Sequence, residues 1–415
     1  MTATVLRSSP PASSASRRAL PAAAAFYLLA SIIVSFLAAS SAPTPIYALY
    51  QAEWRFTPIT TTVVFGIYAL AVLVALLTLG KLSDHLGRRP ILLAAIAGQA
   101  LAMIIFLTAD GVTALLVARV IQGIATGAAV GAVGAGLLDL DRNRGTLANA
   151  VAPGIGTGTG AIVSALVVQF LPSPTKLIYA VLLGVFAIQA IGVTLMAETV
   201  TAKPGALATL VPEIRLPRPV RAPMLAAAPV LFSVWALAGF YGSLGPALTR
   251  QLTGSTSVLF GGLSLFLLAA VAAVAVAVLR NTPARLVMLT GTGTLILGVS
   301  ITLIAISAGS LAWFLIGTAV AGVGFGAGFQ GGIRTVLPLA AAHERSGVLS
   351  LLYVVSYAGM GGPAVLAGVL VVHDGGLLRT AHEYGIAVIV LAGAALLALI
   401  RPSFTRSRHS IDRAV

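Results

Sequence analysis

Arg119 is the charged residue of this chain with the most chemical interest, because it stands inside a long apolar stretch. It belongs to the run Arg119-Val120-Ile121-Gln122-Gly123. A guanidinium stays protonated and offers a planar set of donors to an anionic group. A lone Arg in an apolar segment is costly, which favours a functional role, although an Arg can also extend its head group to a nearby surface. We predict that Arg119 and Gln122 take part in binding or coupling.

A second group of reactive side chains lies in one short segment, Gly80-Lys81-Leu82-Ser83-Asp84-His85-Leu86-Gly87-Arg88-Arg89-Pro90. Gly80 and Gly87 permit a tight turn and a close approach of backbones. Asp84 is an acid that the N-terminus of a helix would stabilise. The segment therefore predicts a structured loop that contacts a helix end.

Arg88 and Arg89 end that loop and need acidic partners. Asp139 and Asp141 lie at the end of the apolar stretch that contains Arg119. We predict that these two Arg side chains form ion pairs with these two acids on the neighbouring helix end. A plain loop with orienting charges is the alternative.

Several kinds of chemistry are excluded or disfavoured by what the chain lacks. It has no Cys, which excludes disulfides, zinc-thiolate sites and Cys nucleophiles. Its 11 acids and five His all fall between apolar stretches or at their ends. No phosphate loop of the G-x-x-x-x-G-K-[ST] kind is present. We therefore expect no catalytic residue, no metal site and no cofactor, and no acid or His in mid-membrane to carry a proton.

The composition is that of an all-α membrane protein. Hydrophobic residues make up 58% and charged residues 9% of the 415, with a mean hydropathy of +1.03; a soluble domain carries about 25% charged residues. Apolar runs of about 20 residues each can span a bilayer. The net charge of +14 would suggest nucleic acid in a soluble domain. Because the basic residues lie between apolar runs, we expect a lipid bilayer and not nucleic acid as the partner.

Twelve transmembrane helices are predicted from the apolar runs. We read the first run as a helix because it is too long for a secretory signal core. The predicted spans, numbered 1 to 12, are 22–49, 58–80, 91–109, 112–138, 146–171, 176–197, 223–249, 254–279, 285–307, 311–335, 346–372 and 382–400.

Basic residues and the longest connection define the domains. With a cytoplasmic N-terminus, 20 of the 25 Lys and Arg lie in inside segments and four in outside segments, as the positive-inside rule requires. We predict both termini in the cytoplasm. The predicted units are a tail 1–21, a six-helix bundle 22–197, a cytoplasmic linker 198–222, a second six-helix bundle 223–400 and a tail 401–415.

The two bundles carry similar features at matching places. Gly123 and Gly127 of span 4 correspond to Gly322 and Gly326 of span 10, with a displacement of 199 residues in both cases. Repeated halves with interrupted helices are typical of alternating-access transporters, whereas close helix packing alone also favours small residues. The predicted helix-bending residues are Pro153 and Gly154 in span 5 and Pro363 in span 11.

The 80–90 segment resembles the signature loop G-x-L-[AS]-D-x-x-G-R-[RK] of the major facilitator superfamily at every fixed position. Arg119 to Gly123 resembles the family's R-x-x-Q-G pattern, which is often linked to proton movement. The resemblance implies two pseudo-symmetric six-helix bundles, a cytoplasmic latch that is made and broken during transport, and an Asp84 that faces the start of span 11. Span 5 also resembles the G-P-x-x-G-G motif of drug/proton exchangers, with Ala152 in place of the first Gly and a different spacing.

The resemblance further implies a central cavity surrounded by spans 1, 2, 4, 5, 7, 8, 10 and 11. Aromatic groups with few hydrogen-bonding groups suit an amphipathic organic substrate, and packing is the alternative role of each. The candidate cavity residues are Tyr47, Trp235, Tyr241, Gln330, Tyr353 and Tyr357.

A monomeric secondary transporter of the bacterial plasma membrane is the function we expect. Efflux of an amphipathic or drug-like compound is the leading expectation. The alternative is a facilitator or importer of a small anionic or polar solute that uses Arg119 as its counter-charge. An intramembrane enzyme would need clustered acids or His within the spans, and a non-transporting receptor would not need the latch and the repeat.

Overall fold

The computed structural model describes residues 20–400 except Thr256 and Ala342, and within them the chain is helical without a strand. The two tails predicted to be cytoplasmic lie almost entirely outside the described residues. The prediction of twelve spans is confirmed. The helices long and apolar enough to cross a membrane are Ala22–Trp54, Pro58–Leu79, Arg88–Leu107, Val112–Leu140, Arg142–Phe170, Leu177–Leu195, Arg218–Ser243, Leu259–Asn281, Ala284–Ser307, Leu311–Leu339, Arg345–His373 and Gly376–Ile400.

Proline residues divide two of the predicted spans. Span 1 consists of the helices Ala22–Ser41 and Pro43–Trp54, and span 7 is followed by a separate helix, Gly245–Thr253. Proline lacks an N–H and favours the first turn of a helix, and each second helix begins with Pro in that turn. The prediction of one helix over 223–249 was therefore wrong. Short helices also cover Ser83–Leu86 and Ala206–Leu210.

Four helices begin at least three residues earlier than predicted, because their polar first turns are also helical. Span 3 begins at Arg88, span 5 at Arg142, span 7 at Arg218 and span 12 at Gly376. Asp141 caps span 5 by accepting hydrogen bonds from the N–H groups of Asn143 and Arg144, which satisfies donors that lack a partner within the helix. The connection between spans 6 and 7 is shorter than predicted and covers 196–217.

Each half has its own hydrophobic core. One core is built from residues between Ala25 and Met196, and the other almost wholly from residues between Val220 and Leu399. Glycines give the same packing in both halves. Gly123 lies against the backbone of span 2, and Gly322 lies against the backbone of span 8. The pairing of span 4 with span 2 is thus repeated by span 10 with span 8, and the prediction of two pseudo-symmetric bundles is confirmed.

The halves meet where span 2 packs on span 11 and span 5 packs on span 8. We call the end of the bundle with residues 80–90 the motif end and the opposite end the far end. Gly66 lies against Gly361 and Val365, near the middle of the bundle. At the far end, Thr44 Oγ1 donates a hydrogen bond to the Gly242 carbonyl across the halves at 3.4 Å. The direct contacts between the spans of the two halves therefore extend from the middle to the far end.

The residues predicted to bend helices lie in helices that continue past them. Pro153 and Pro363 are internal to Arg142–Phe170 and Arg345–His373. Gly154 lies against the carbonyl of Ala269 in span 8. Gly154 is thus a contact between the halves as well as a candidate bending point.

Candidate functional site

Arg88 is the centre of the predicted latch, and its side chain is nearly buried. Only 5% of the residue is exposed. Its Nη1 donates to Ser83 Oγ at 2.7 Å and to the Asp84 carboxylate, while its Nε donates to Asp139 Oδ2 at 3.1 Å. Ion pairs with Asp84 and Asp139 accompany these bonds. The guanidinium therefore joins the 80–90 loop to the end of span 4.

Arg89 and Asp141, which were also predicted to form ion pairs in this group, have different partners. Arg89 donates to the carbonyls of Val193 and Thr194 at the end of span 6. Asp141 caps span 5 and pairs with the exposed Arg144 at 3.7 Å. The expected pairing of Arg89 and Asp141 with members of the latch was wrong, because the nearest complementary groups of each belong to helix ends.

Two residues of the linker, Glu198 and Thr199, complete the latch. Glu198 accepts hydrogen bonds from the backbone N–H groups of Arg88 at 2.8 Å and Arg89 at 2.9 Å. Its carboxylate thus caps the N-terminus of span 3 and is favoured by the helix dipole. Thr199 Oγ1 donates to Asp139 Oδ2 at 2.9 Å. Sequence reasoning missed both residues, since 110 positions separate Glu198 from Arg88.

The two glycines of the loop have different roles. Gly87 has a φ of +98°, a conformation in which a Cβ atom is strained. Gly80 has an ordinary helical φ of −57°, and its backbone lies against Gly131 of span 4. Gly80 therefore permits a close approach of helices and does not form the tight turn predicted for it.

The linker connects the loop to the start of span 11. Lys81 Nζ pairs with Glu213 Oε2 at 2.9 Å, and the backbone N–H of Arg215 donates to the Gly347 carbonyl at 3.3 Å. The bond from Lys81 lowers the pKa of Glu213 below its ordinary value. Among the described residues Asp84 makes no hydrogen bond to span 11, so the linker occupies the place that the resemblance implied for Asp84.

Arg119 is fully buried and contacts three elements. Its Nη1 donates to the Ser40 carbonyl at 2.8 Å and to Gln122 Oε1 at 2.7 Å, and its Nε donates to Tyr47 Oη at 2.8 Å. The alternative that Arg119 extends to a surface is therefore wrong. Its Nη2 is buried without a partner among the described residues. A permanent positive charge is thus held by neutral oxygens.

Aromatic rings cover the remaining faces of Arg119. Its Cζ atom lies 4.9 Å from the ring centroid of Tyr68 and 5.6 Å from that of Tyr47, which are favourable cation–π distances. Gln122 Nε2 donates to the Ala39 carbonyl at 3.0 Å. Arg119 and Gln122 therefore bind span 4 to span 1. Tyr68 was missed by the sequence analysis because only the packing of span 2 reveals its position.

Four aromatic residues form a cluster in the second half, with Trp235 at its centre. The ring centroid of Trp235 lies 4.9 Å from that of Tyr357, 5.3 Å from that of Phe329 and 6.0 Å from that of Phe325. Trp235 and Tyr357 also pack on the small core that joins span 2 to span 11. The Nε1 donor of Trp235 is buried without a partner among the described residues. This Trp235 cluster thus lies where the two halves meet.

The other predicted cavity residues differ in their surroundings. Gln330 Oε1 is buried without a described partner, and Tyr353 is half-buried. Tyr241 is completely buried and its hydroxyl bonds Thr318 Oγ1 at 2.8 Å. Tyr241 therefore belongs to the core of the second half, and its prediction as a cavity residue was wrong. Among residues 20–400, apart from the two undescribed positions, no group of three or more His, Asp or Glu could hold a metal ion.

The family follows from a match over more than half of the chain. Residues 27–283 match the model of the Major Facilitator Superfamily. The chain belongs to this superfamily. Two solved structures have the same fold: a variant of the nucleoside transporter NupG, with a TM-score of 0.71 and 13% identity, and the human organic anion transporter TETRAN, with a TM-score of 0.65 and 18% identity. Each comparison covers 92% of this chain and 100% of the other.

Similarity to curated transporters is confined to short segments. A triacylglyceride transporter of Mycobacteroides abscessus is 35% identical over 130 residues, which are 30% of this chain and 24% of that protein. An uncharacterized transporter of Rickettsia bellii is 36% identical over 74 residues, which are 17% of this chain and 18% of that protein. The chain thus matches less than a quarter of the length of either relative. The comparisons thus establish the superfamily and leave the substrate open.

Proposed function

We propose that this protein exports an amphipathic organic compound across the bacterial plasma membrane by alternating access. The Trp235 cluster carries the proposal. It presents aromatic faces and an unpartnered N–H donor at the junction of the halves. Mostly apolar pockets with a few fixed polar groups bind such compounds. The far-end contacts between the halves support an inward-facing conformation, in which a solute enters from the motif end.

The charge of the substrate follows from Arg119. Arg119 carries a buried formal charge close to the Trp235 cluster. The ring of Tyr68 covers Arg119, and Tyr68 is adjacent in span 2 to the residues that pack on that cluster. No described acid pairs with Arg119 at 4 Å or less. A positive charge without a counter-ion disfavours a cationic solute and favours a neutral or anionic one. The cargo that we propose is therefore neutral or anionic.

A second function is supported by the same residue. The unpartnered Nη2 of Arg119 would bind a carboxylate or phosphate if Tyr68 moved aside. In this alternative the protein is a facilitator or importer of a small anionic or polar solute.

Direction and substrate class are tested together in proteoliposomes and membrane vesicles. For export, everted vesicles accumulate amphipathic neutral or anionic dyes, and Trp235→Ala reduces accumulation about tenfold, which corresponds to about 1.4 kcal/mol. Trp313→Phe, at an exposed position, is the matched control and retains transport. Accumulation of small polar anions by right-side-out vesicles only, unaffected by Trp235→Ala, would select the alternative.

We further propose that the motif end faces the cytoplasm and that the protein acts as a monomer. The excess of basic residues at this end supports that orientation. Reporter tags after Met1, within 198–217 and at Val415 should all report the cytoplasm. A periplasmic signal at any of the three positions contradicts the orientation.

A further inference from the structure

A small cavity lies at the far end, between the two halves. Its volume is about 140 Å³. Thr44, Tyr47, Gln51 and Thr61 line it from the first half, and Ser243 and Arg250 line it from the second. The wall is otherwise mainly apolar. The cavity therefore exists only while the halves are together at this end.

Arg250 gives the cavity its charge. It stands in the last turn of the helix Gly245–Thr253. Its Nε is buried and has no hydrogen-bond partner among the described residues, and no described acid lies within 4.0 Å of its guanidinium. Two of the far-end acids, Asp374 and Glu383, pair with Arg379 instead. A guanidinium in a mainly apolar cavity is stabilised by an anion that accepts its hydrogen bonds.

Helix ends of both polarities border the cavity. Thr61 and Leu377 lie in the first turns of span 2 and span 12, whereas Ser243, Val371 and Gln51 lie in the last turns of span 7, span 11 and the helix Pro43–Trp54. Because first turns carry partial positive charge and last turns partial negative charge, the positive charge of the cavity comes from Arg250. The side-chain amide of Gln51 adds a donor from the first half.

We propose that this cavity binds a small monovalent anion, a carboxylate or a halide, between Arg250 and Gln51. Because both halves contribute, the anion binds only when the far end is closed, and it shifts the population towards that conformation. The site stands whichever solute the protein carries. It differs from the Arg119 site, which lies within the first half and shares only Tyr47 with the cavity.

Anion-dependent stability of the purified full-length protein tests the proposal. At constant ionic strength, replacing a bulky organic sulfonate with chloride or acetate should raise the apparent Tm saturably. Arg250→Gln should abolish the rise or weaken the apparent affinity at least about tenfold, the equivalent of about 1.4 kcal/mol. Arg379→Gln, a far-end Arg that already has acidic partners, is the control and should retain the rise. An equal rise in Arg250→Gln, or no rise in the parental protein, overturns the proposal.

A second variant and a distance measurement test the proposal even if the Arg250→Gln variant does not fold. Gln51→Leu removes a donor from the opposite half and should weaken anion binding while leaving Arg250 in place. Since the chain has no Cys, spin labels at Glu53→Cys and Gln251→Cys report the far-end distance directly, and the anion should shorten it. An unchanged distance at saturating anion contradicts the coupling. Equal effects of chloride and acetate support a site for any small monovalent anion. An effect of benzoate alone, with none from chloride or acetate, overturns the proposal and assigns the effect to the carboxylate of a transported solute.

Discussion

Arg88 Nε lies 3.1 Å from Asp139 Oδ2, and this contact ties the loop between spans 2 and 3 to the end of span 4. Thr199 of the linker donates to the same carboxylate oxygen. Asp139 thus receives donors from two segments that are distant in sequence. The guanidinium of Arg88 is almost buried, so the loss of an anionic partner is costly.

Asp139→Asn should therefore impair transport as strongly as Asp84→Asn or Arg88→Ala. We expect a loss of about tenfold in initial rate for each, equivalent to about 1.4 kcal/mol, with normal amounts of protein in the membrane. Asp141→Asn changes a neighbouring acid that caps span 5 and pairs with the exposed Arg144 but does not contact Arg88, and it serves as the control. Parental rates in Asp84→Asn and Asp139→Asn would show that the loop merely orients the protein.

Arg119→Ala should abolish transport, and Arg119→Lys should impair it strongly. Lys replaces a planar set of donors with a point charge and cannot reach the Ser40 carbonyl, Gln122 and Tyr47 in the same geometry. Rates in proteoliposomes measure the effect, and Arg144→Lys at an exposed position is the control. Transport that survives Arg119→Ala would remove this residue from the mechanism.

Tyr47→Phe should lower the stability of the protein while transport is retained. It leaves Arg119 Nε without its acceptor, and an unsatisfied buried donor costs about 1–3 kcal/mol. We expect a lower Tm in detergent, with transport retained at temperatures well below it. Tyr27→Phe, at an exposed ring, should leave the Tm unchanged, whereas an unchanged Tm in Tyr47→Phe would argue against the bond to Arg119.

Glu198→Ala should lower stability by about 1 kcal/mol, the usual value of a helix cap. The loss arises because the N–H groups of Arg88 and Arg89 lose their acceptor. Thermal unfolding in detergent measures it. Asp110→Asn changes an exposed acid without a described partner and should have no effect, and equal Tm values for the two variants would contradict the capping role.

Gly160→Ala should be strongly destabilising, because an added Cβ meets the Ala38 carbonyl of span 1. Backbone atoms cannot move aside as a flexible side chain can, so spans 1 and 5 must separate. Gly184→Ala is the matched control, since an added Cβ there meets nothing within 4 Å. Folded yield and Tm should drop in the first variant alone.

Sequence reasoning reached the parts of the site that depend on local pattern. The 80–90 loop was predictable because its residues are contiguous, and Gln122 was a predictable partner of Arg119 because residues three apart are neighbours on a helix. The roles of Ser40, Tyr68 and Glu198 were not predictable, since they depend on how separate helices rotate and pack. Tyr241 was misassigned for the same reason: a Tyr in a central span faces the core or the cavity according to its helix rotation.

The linker passes from one half to the other within two residues. Glu213 is bound to Lys81 of the first half, and Arg215 is bound to Gly347 of the second. Two residues of extended chain reach only about 7 Å. Lys81 and Gly347 are therefore held on a short mechanical tether, and any movement that draws them much further apart breaks one of these two bonds first. Residues 204–212 form a longer segment, but they precede Glu213 in the chain. They therefore cannot lengthen the connection between Glu213 and Arg215.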